Sequence, residues 1–191
     1  MARPKSFKQA EALEKAMQLF WEKGFEATSI QDLVDTIGIN RQSLYNTFGD
    51  KKQLFLQSLD LYRTQGLEGI LQKLAEDEPV QQKIADVFRF IIDASIHDSR
   101  GCLIANSTLE LANHDDDVAT IVCDNLKNYE DAFRQVLLEA QQKGELSPDK
   151  NPDAIARYLF SSLQGIRVTA KATNDRARLE DIAAITLSVL S

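Results

Sequence analysis

Eight residues, Arg41 to Phe48 (RQSLYNTF), put polar chemistry on one side of a short helix and apolar anchors on the other. Leu44 and Phe48 are four apart, so they share one face that can be buried. At about 100° per residue, Gln42 and Asn46 point away from that face, and Ser43 and Tyr45 flank it. Arg41 lies at the exposed N-terminal end with a long reach. A solvated helix face usually carries Glu and Lys. This one offers amides, hydroxyls and a guanidinium, the groups that pair with base edges and hold phosphate oxygens. The chemistry expected is recognition of duplex DNA, with Gln42 and Asn46 making the main base contacts and Arg41, Ser43 and Tyr45 in support.

A helix reads bases only if other elements hold it out. Ile30, Leu33, Val34 and Ile37 fall at i, i+3, i+4 and i+7, one apolar face of a preceding helix. Thr28 with Gln31, or Ser29 with Asp32, can form its capping box. Gly38 ends it, Asn40 caps the reading helix, and Asp50 with Gln53 can cap a third. That spacing is helix–turn–helix. A first helix, about residues 6 to 23, carries Ala10, Leu13, Ala16, Met17 and Phe20 on the stripe that buries the backs of both. Trp21 and Phe25 close the small core. Thr28, Tyr45 and Lys51 are expected on phosphate, with Lys52 in the same turn also well placed. The tail from Arg3 to Lys8, which includes Lys5, reads equally as a phosphate or minor-groove arm and as a disordered end.

Positions 16 to 55, AMQLFWEKGFEATSIQDLVDTIGINRQSLYNTFGDKKQLF, resemble the TetR family of bacterial transcriptional regulators. Phe20, Gly24-Phe25, Thr28, Ile30, Gly38, Leu44-Tyr45, Phe48 and Lys51-Lys52 carry the likeness. Asn40 stands where the family often has Ser or Thr and does the same capping job. No strand-like alternation appears anywhere, which gives an all-α chain of about nine helices, as the resemblance also implies. Residues 1–50 would be the DNA-binding domain and residues 51–191 the effector-binding and dimerisation domain. It implies a homodimer on a palindromic operator, most often a repressor, released by a small-molecule effector.

Net charge is −7 over 191 residues, which at first argues against DNA. The distribution argues the other way. Residues 1–63 hold nine Lys or Arg and eight Asp or Glu, while the remainder holds thirteen and twenty-one. The acidic part should face away from phosphate, so the docking face is the N-terminal one. No apolar run approaches the ~18 residues of a membrane helix, and the polar N-terminus has no signal-peptide pattern, so a cytoplasmic protein is expected. Two cysteines make no disulfide framework. There is no Gly-rich phosphate loop, CxxC or HExxH, and the residues call for no cofactor, so an enzyme is the weak alternative. A protein-binding helical module without a DNA role is another, and a DNA-binding regulator lacking an effector a third.

The C-terminal part reads as a series of helices, the fourth from Asp50 to about Ala75. Gly66 and Gly69 in it mark either a kink or close packing. Residues 113–117, NHDDD, read better as acidic helix capping than as a metal site. Helices near 152–172 and 178–190 are apolar on more than one side, so a second copy is expected against them. Leu163, Ile166, Leu179 and Ile182 are the candidates, divided between core and interface. An effector pocket is expected among Phe88, Asn106, Asn125, Tyr129, Phe133 and Gln164, apolar walls with a few polar anchors for a small, apolar or aromatic molecule.

Cys102, in RGCLIANSTLEL, lies in what resembles a turn found in a subset of the family, some of which sense electrophiles or oxidants through the cysteine. It precedes a helix N-terminus, which favours thiolate, with Arg100 and His97 near in sequence. Lys171 would reach it if its helix crosses there, as it does in the family. An inert buried cysteine is the plainer reading.

Overall fold

The computed structural model describes residues 8–191, so Arg3 and Lys5 of the tail lie outside the described residues. Nine α-helices follow among the described residues: α1 Gln9–Lys23, α2 Ile30–Ile37, α3 Arg41–Phe48, α4 Lys51–Leu74, α5 Val80–His97, α6 Leu103–Leu111, α7 Asp116–Lys143, α8 Pro152–Ala172 and α9 Arg176–Leu187. A 3₁₀ turn, Ser188–Leu190, ends the chain. No strand occurs among them. This is the all-α class that the periodicity implied.

Local chemistry sets the helix ends. Of the two capping boxes available to α2, Ser29 with Asp32 forms. Asp32 N–H donates to Ser29 Oγ at 3.1 Å, and Ser29 N–H donates to the Asp32 carboxylate at 2.9 Å. Gly38 turns the chain at φ 80°, ψ 32°, and Asn40 Oδ1 accepts from Ser43 N–H at 2.8 Å to start α3. Asp50 and Gln53 cap α4 reciprocally, at 2.8 and 3.1 Å. Before α8, Asn151 accepts from Asp153 and Ala154, with Pro152 in the first turn.

The chain divides into two compact units. One comprises the residues through Thr64 together with Leu103–Val122, the other Gln65–Cys102 together with Cys123–Ser191. Helices α4 and α7 each run through both. The boundary expected after residue 50 falls between α3 and α4, whereas the first compact unit also takes in the start of α4. There Leu54, Phe55 and Leu59 are fully buried, and Phe55 meets Phe20 edge-on at 5.0 Å and Phe25 at 4.9 Å. The buried stripe of α1 is Ala12, Ala16, Met17, Leu19 and Phe20. Ala10, expected on it, is exposed one residue into the helix.

In the second unit one core joins Ile70 of α4, Ile84, Phe88 and Ile91 of α5, Phe133 and Leu137 of α7, Leu159, Leu163 and Ile166 of α8, and Leu179 of α9. Each such side chain contributes about 1.5–3 kcal/mol by burial. Gly66 and Gly69 are close-packing positions. A Cβ on Gly66 would lie 2.9 Å from the Tyr129 hydroxyl, and one on Gly69 would lie 3.1 Å from the Phe90 ring. Among the described residues no helix is long and apolar enough to cross a membrane.

Candidate nucleic-acid interface

Helix α3 is pinned by Leu44 and Phe48, 0% and 3% exposed, which leaves its opposite face to solvent. Arg41, Gln42, Tyr45 and Asn46 are all exposed there, and Ser43 is half-buried. Gln42 Nε2 donates to Asn46 Oδ1 at 2.9 Å. That bond aligns the two amides and leaves Gln42 Oε1 as an acceptor and the Asn46 amide nitrogen as a donor. An acceptor and a donor side by side complement the N6 donor and N7 acceptor of adenine in the major groove.

The flanks differ from expectation. Thr28, expected on phosphate, is fully buried. Its hydroxyl donates to the Gly24 carbonyl at 2.6 Å, closing the turn before α2. Ser29 is the exposed hydroxyl at that end. Hydrogen bonds from Ser29, with Lys23 next, hold the Asp32 carboxyl well below the usual carboxylate range. Lys51 is half-buried with its ammonium 4.3 Å from the centre of the Phe25 ring, a cation–π contact that orients it.

Within this unit, residues 103–122 meet the N-terminal helices at two points that the sequence did not signal. The Glu110 carboxylate accepts from Phe25 N–H at 3.2 Å and Glu26 N–H at 2.9 Å. Lys52 lies between Asp115 at 2.9 Å and Asp117 at 2.7 Å. Those carboxylates, Asp117 first, raise the Lys52 ammonium above the ordinary lysine range. Asp115 also caps α7, accepting from the N–H groups of Asp117 and Val118. Capping and this ion pair account for the acidic part of NHDDD.

In the second unit, Tyr129, Phe133 and Phe88 are core residues, 3%, 0% and 1% exposed, and Asn125 is buried with them. Burial pushes the Tyr129 phenol up, against the opposing pull of the Arg167 guanidinium. Arg167 Nη1 also donates to Cys102 Sγ at 3.4 Å. The sequence reading placed Lys171 near this thiol. Arg167, one turn earlier on α8, is the cation found there, and Lys171 is exposed. Arg100 instead pairs with Asp98 at 2.5 Å, and His97 is exposed. Gln164 is half-buried with Oε1 unpartnered. Asn106 belongs to the other compact unit. An open groove of about 280 Å³ between α5 and α9 is floored by Phe88, Ile92 and Ala183 and edged by Arg89 and Arg176.

Leu163, Ile166 and Leu179, named above for self-association, are 1%, 0% and 0% exposed within the protomer, so they build its own core. Ile182 is half-buried against that core. The exposed face of α8 is instead Ala154, Tyr158, Ser161, Gly165, Val168 and Ala172, alternating four and three apart. That spacing keeps them along one seam of the helix. On α9 the exposed apolar residue is Ile185, at 71%.

An all-α chain that holds a polar, amide-bearing helix outward on a three-helix core is a helix–turn–helix nucleic-acid-binding protein. The chain belongs to the TetR family: residues 12–57 match bacterial regulatory proteins, tetR family, and residues 81–186 match the tetracyclin repressor-like C-terminal domain. This is a family of DNA-binding transcriptional regulators, not enzymes. The chain is 38% identical over 193 residues, covering 100% of both sequences, to the uncharacterized HTH-type transcriptional regulator YezE of Bacillus subtilis (strain 168). It is 32% identical to the HTH-type transcriptional repressor ComR of Escherichia coli (strain K12), covering 97% of this chain and 90% of that one. Among solved structures, it superposes with TM-score 0.90 and 26% identity, over 100% of both chains, on a cysteine mutant of the TetR family transcriptional regulator CifR complexed with a 26-base-pair double-strand operator DNA.

Proposed function

We propose that this protein is a cytoplasmic repressor that binds a palindromic operator as a homodimer and is released by a small-molecule effector. The observation that carries the reading is the outward amide pair of α3, Gln42 and Asn46, bonded to each other and anchored from behind by Leu44 and Phe48. A two-fold dimer presents two such helices to inverted half-sites one helical turn, or a multiple of it, apart. The amide pair favours A·T steps in each half-site, and Arg41, Ser43, Tyr45 and Lys51 supply phosphate and supporting contacts. The α8 seam with Ile185 of α9 is the dimer face, since an apolar strip of this kind asks for a partner. The repressor name of ComR supports the direction of the effect, and the operator complex of CifR supports duplex DNA as the target. The effector site is assigned to the second unit, around Phe88, Asn125, Tyr129, Phe133 and Gln164. A ligand there releases DNA only by binding the released state better than the DNA-bound one.

Selection from a random duplex library tests the reading. Wild type should enrich inverted repeats with A·T steps; enrichment of no motif, or of one that Gln42→Ala and Asn46→Ala leave unchanged, would overturn it.

Cys102 gives a second reading, in which alkylation or oxidation replaces the ligand. The Arg167 guanidinium donates to its sulfur at 3.4 Å. An alkylating quinone should then release wild type from DNA while Cys102→Ser stays bound. Equal behaviour of the two would leave Cys102 as a core residue.

A further inference from the structure

Lys52 stands four residues beyond the end of α3 and beside Lys51, yet it carries two carboxylates. Its side chain is 41% exposed, so it can be reached from solvent. Asp115 is the firmer partner. It is 20% exposed, one oxygen is committed to the N-terminus of α7, and the other faces Lys52. The cap holds that carboxylate in place whether or not the lysine is present. Asp117, 64% exposed, closes the pair from the solvent side. The local charge is therefore −1 where a lysine alone would give +1.

We propose that Asp115 and Asp117 form a latch that withholds Lys52 from DNA phosphate and so sets how strongly the first unit binds duplex of any sequence. This rests on the DNA-binding reading above and adds a regulated contact to it. A phosphate can take Lys52 only by displacing two carboxylates already in hydrogen-bond range. Free of them, Lys52 would join Lys51 as a second cation in the first turn of α4. The latch lies on the α6–α7 junction, 63 residues away in sequence. A movement that carries Asp115 off α4 frees a cation beside the reading helix, and one that seats it withdraws the cation. Phosphate contacts set affinity, not sequence choice, so the latch tunes occupancy and leaves the base contacts of Gln42 and Asn46 alone.

A double-mutant cycle on the full chain tests this, with a labelled duplex of random sequence as probe and affinity measured by anisotropy from 50 to 200 mM salt. Asn caps helices as well as Asp does, so Asp115→Asn with Asp117→Asn removes the charge and keeps the α7 cap. The double variant should bind more tightly. Each Lys52 that gains a phosphate adds about 0.9 to the slope of log K against log salt, so each such contact makes the gain about 3.5-fold larger at 50 than at 200 mM, and the two of a dimer make it about 12-fold larger. Lys52→Met should change wild-type affinity less than about twofold and should abolish the gain in the double variant, since residues in one network are not additive. Asp117→Asn alone, which leaves the cap untouched, should give a smaller gain in the same direction. Three results would each overturn the latch: unchanged affinity in the double variant, a gain that survives Lys52→Met, or an equal loss from Lys52→Met in both backgrounds. Failure of wild type to bind any duplex would overturn the DNA-binding reading and the latch with it. Normal binding with a flat cycle removes the latch alone.

Discussion

Gly24→Ala and Gly38→Ala should differ sharply in cost, although both glycines have nearly the same φ, 82° and 80°. Gly38, with ψ 32°, is an ordinary left-handed helix end with nothing within 4 Å of an added Cβ. The left-handed conformation costs a non-glycine residue about 1–2 kcal/mol. Gly24, with ψ 171°, lies in a region almost reserved for glycine, where strain is about 1–3 kcal/mol. Its added Cβ would also meet Glu110 Oε2 at 3.0 Å and Oε1 at 3.1 Å. That carboxylate cannot retreat without giving up Phe25 and Glu26 N–H, and hydrogen bonds to charged groups are worth about 1.5–3 kcal/mol when buried, less at this part-exposed site. The loss of unfolded-state entropy on Gly→Ala, about 0.4–1 kcal/mol, is common to both and cancels in the difference. Gly24→Ala should therefore be less stable than Gly38→Ala by about 2 kcal/mol, as a sum of the strain and displacement terms. Trp21 is the only tryptophan, packs on Tyr62 at 5.0 Å, and lies in the same compact unit as both glycines. Urea unfolding followed by its fluorescence reads this unit directly. Equal midpoints at equal slope would refute the account, as would an undiminished gap in a Glu110→Ala background, where the displaced bonds no longer exist.

Four further outcomes are expected. Gln42→Ala and Asn46→Ala should each cost about 1–3 kcal/mol in operator binding and broaden base choice by site selection, with thermal stability unchanged because both are exposed. Val168→Glu or Ile185→Glu should give folded monomers by sedimentation, since these side chains are 57% and 71% exposed and touch the proposed partner rather than the protomer core. Phe133→Ala should cost about 3–5 kcal/mol by urea unfolding, because the ring is fully buried in the second core. The folded-state carboxyls of Asp32 and Asp115 lie below their unfolded value of 3.8. Their contribution is present above about pH 4 and lost as pH falls below it. Asp32→Asn should flatten the acid limb of a stability profile from pH 2 to 6.

The helices were legible because their signals are local. A 3.6-residue apolar period, a capping Asn40, and a Gly38 that turns left-handed act within a few residues, so helix ends fell within about three residues of expectation. The outward face of α3 was legible for the same reason, since two anchors four apart dictate which side remains. Local rules left ties, however. Thr28 and Ser29 were equal candidates for the cap, and Thr28 was also the candidate for phosphate. The Gly24 carbonyl took the Thr28 hydroxyl, and Ser29 capped α2.

Sequence alone thus determined the all-α class, the reading helix and its polar face, because helix geometry converts spacing into direction. Only the tertiary structure decided which side of α8 and α9 meets the core. Both sides are apolar, and a period cannot tell Leu163, buried, from Val168, exposed. Pairings across long stretches of chain were likewise invisible: Arg167 rather than Lys171 beside Cys102, Glu110 on the turn at Gly24, Asp115 and Asp117 on Lys52. A long cation can reach many anions, and the chosen partner depends on which helices pack together, a property of the whole fold and of no segment within it.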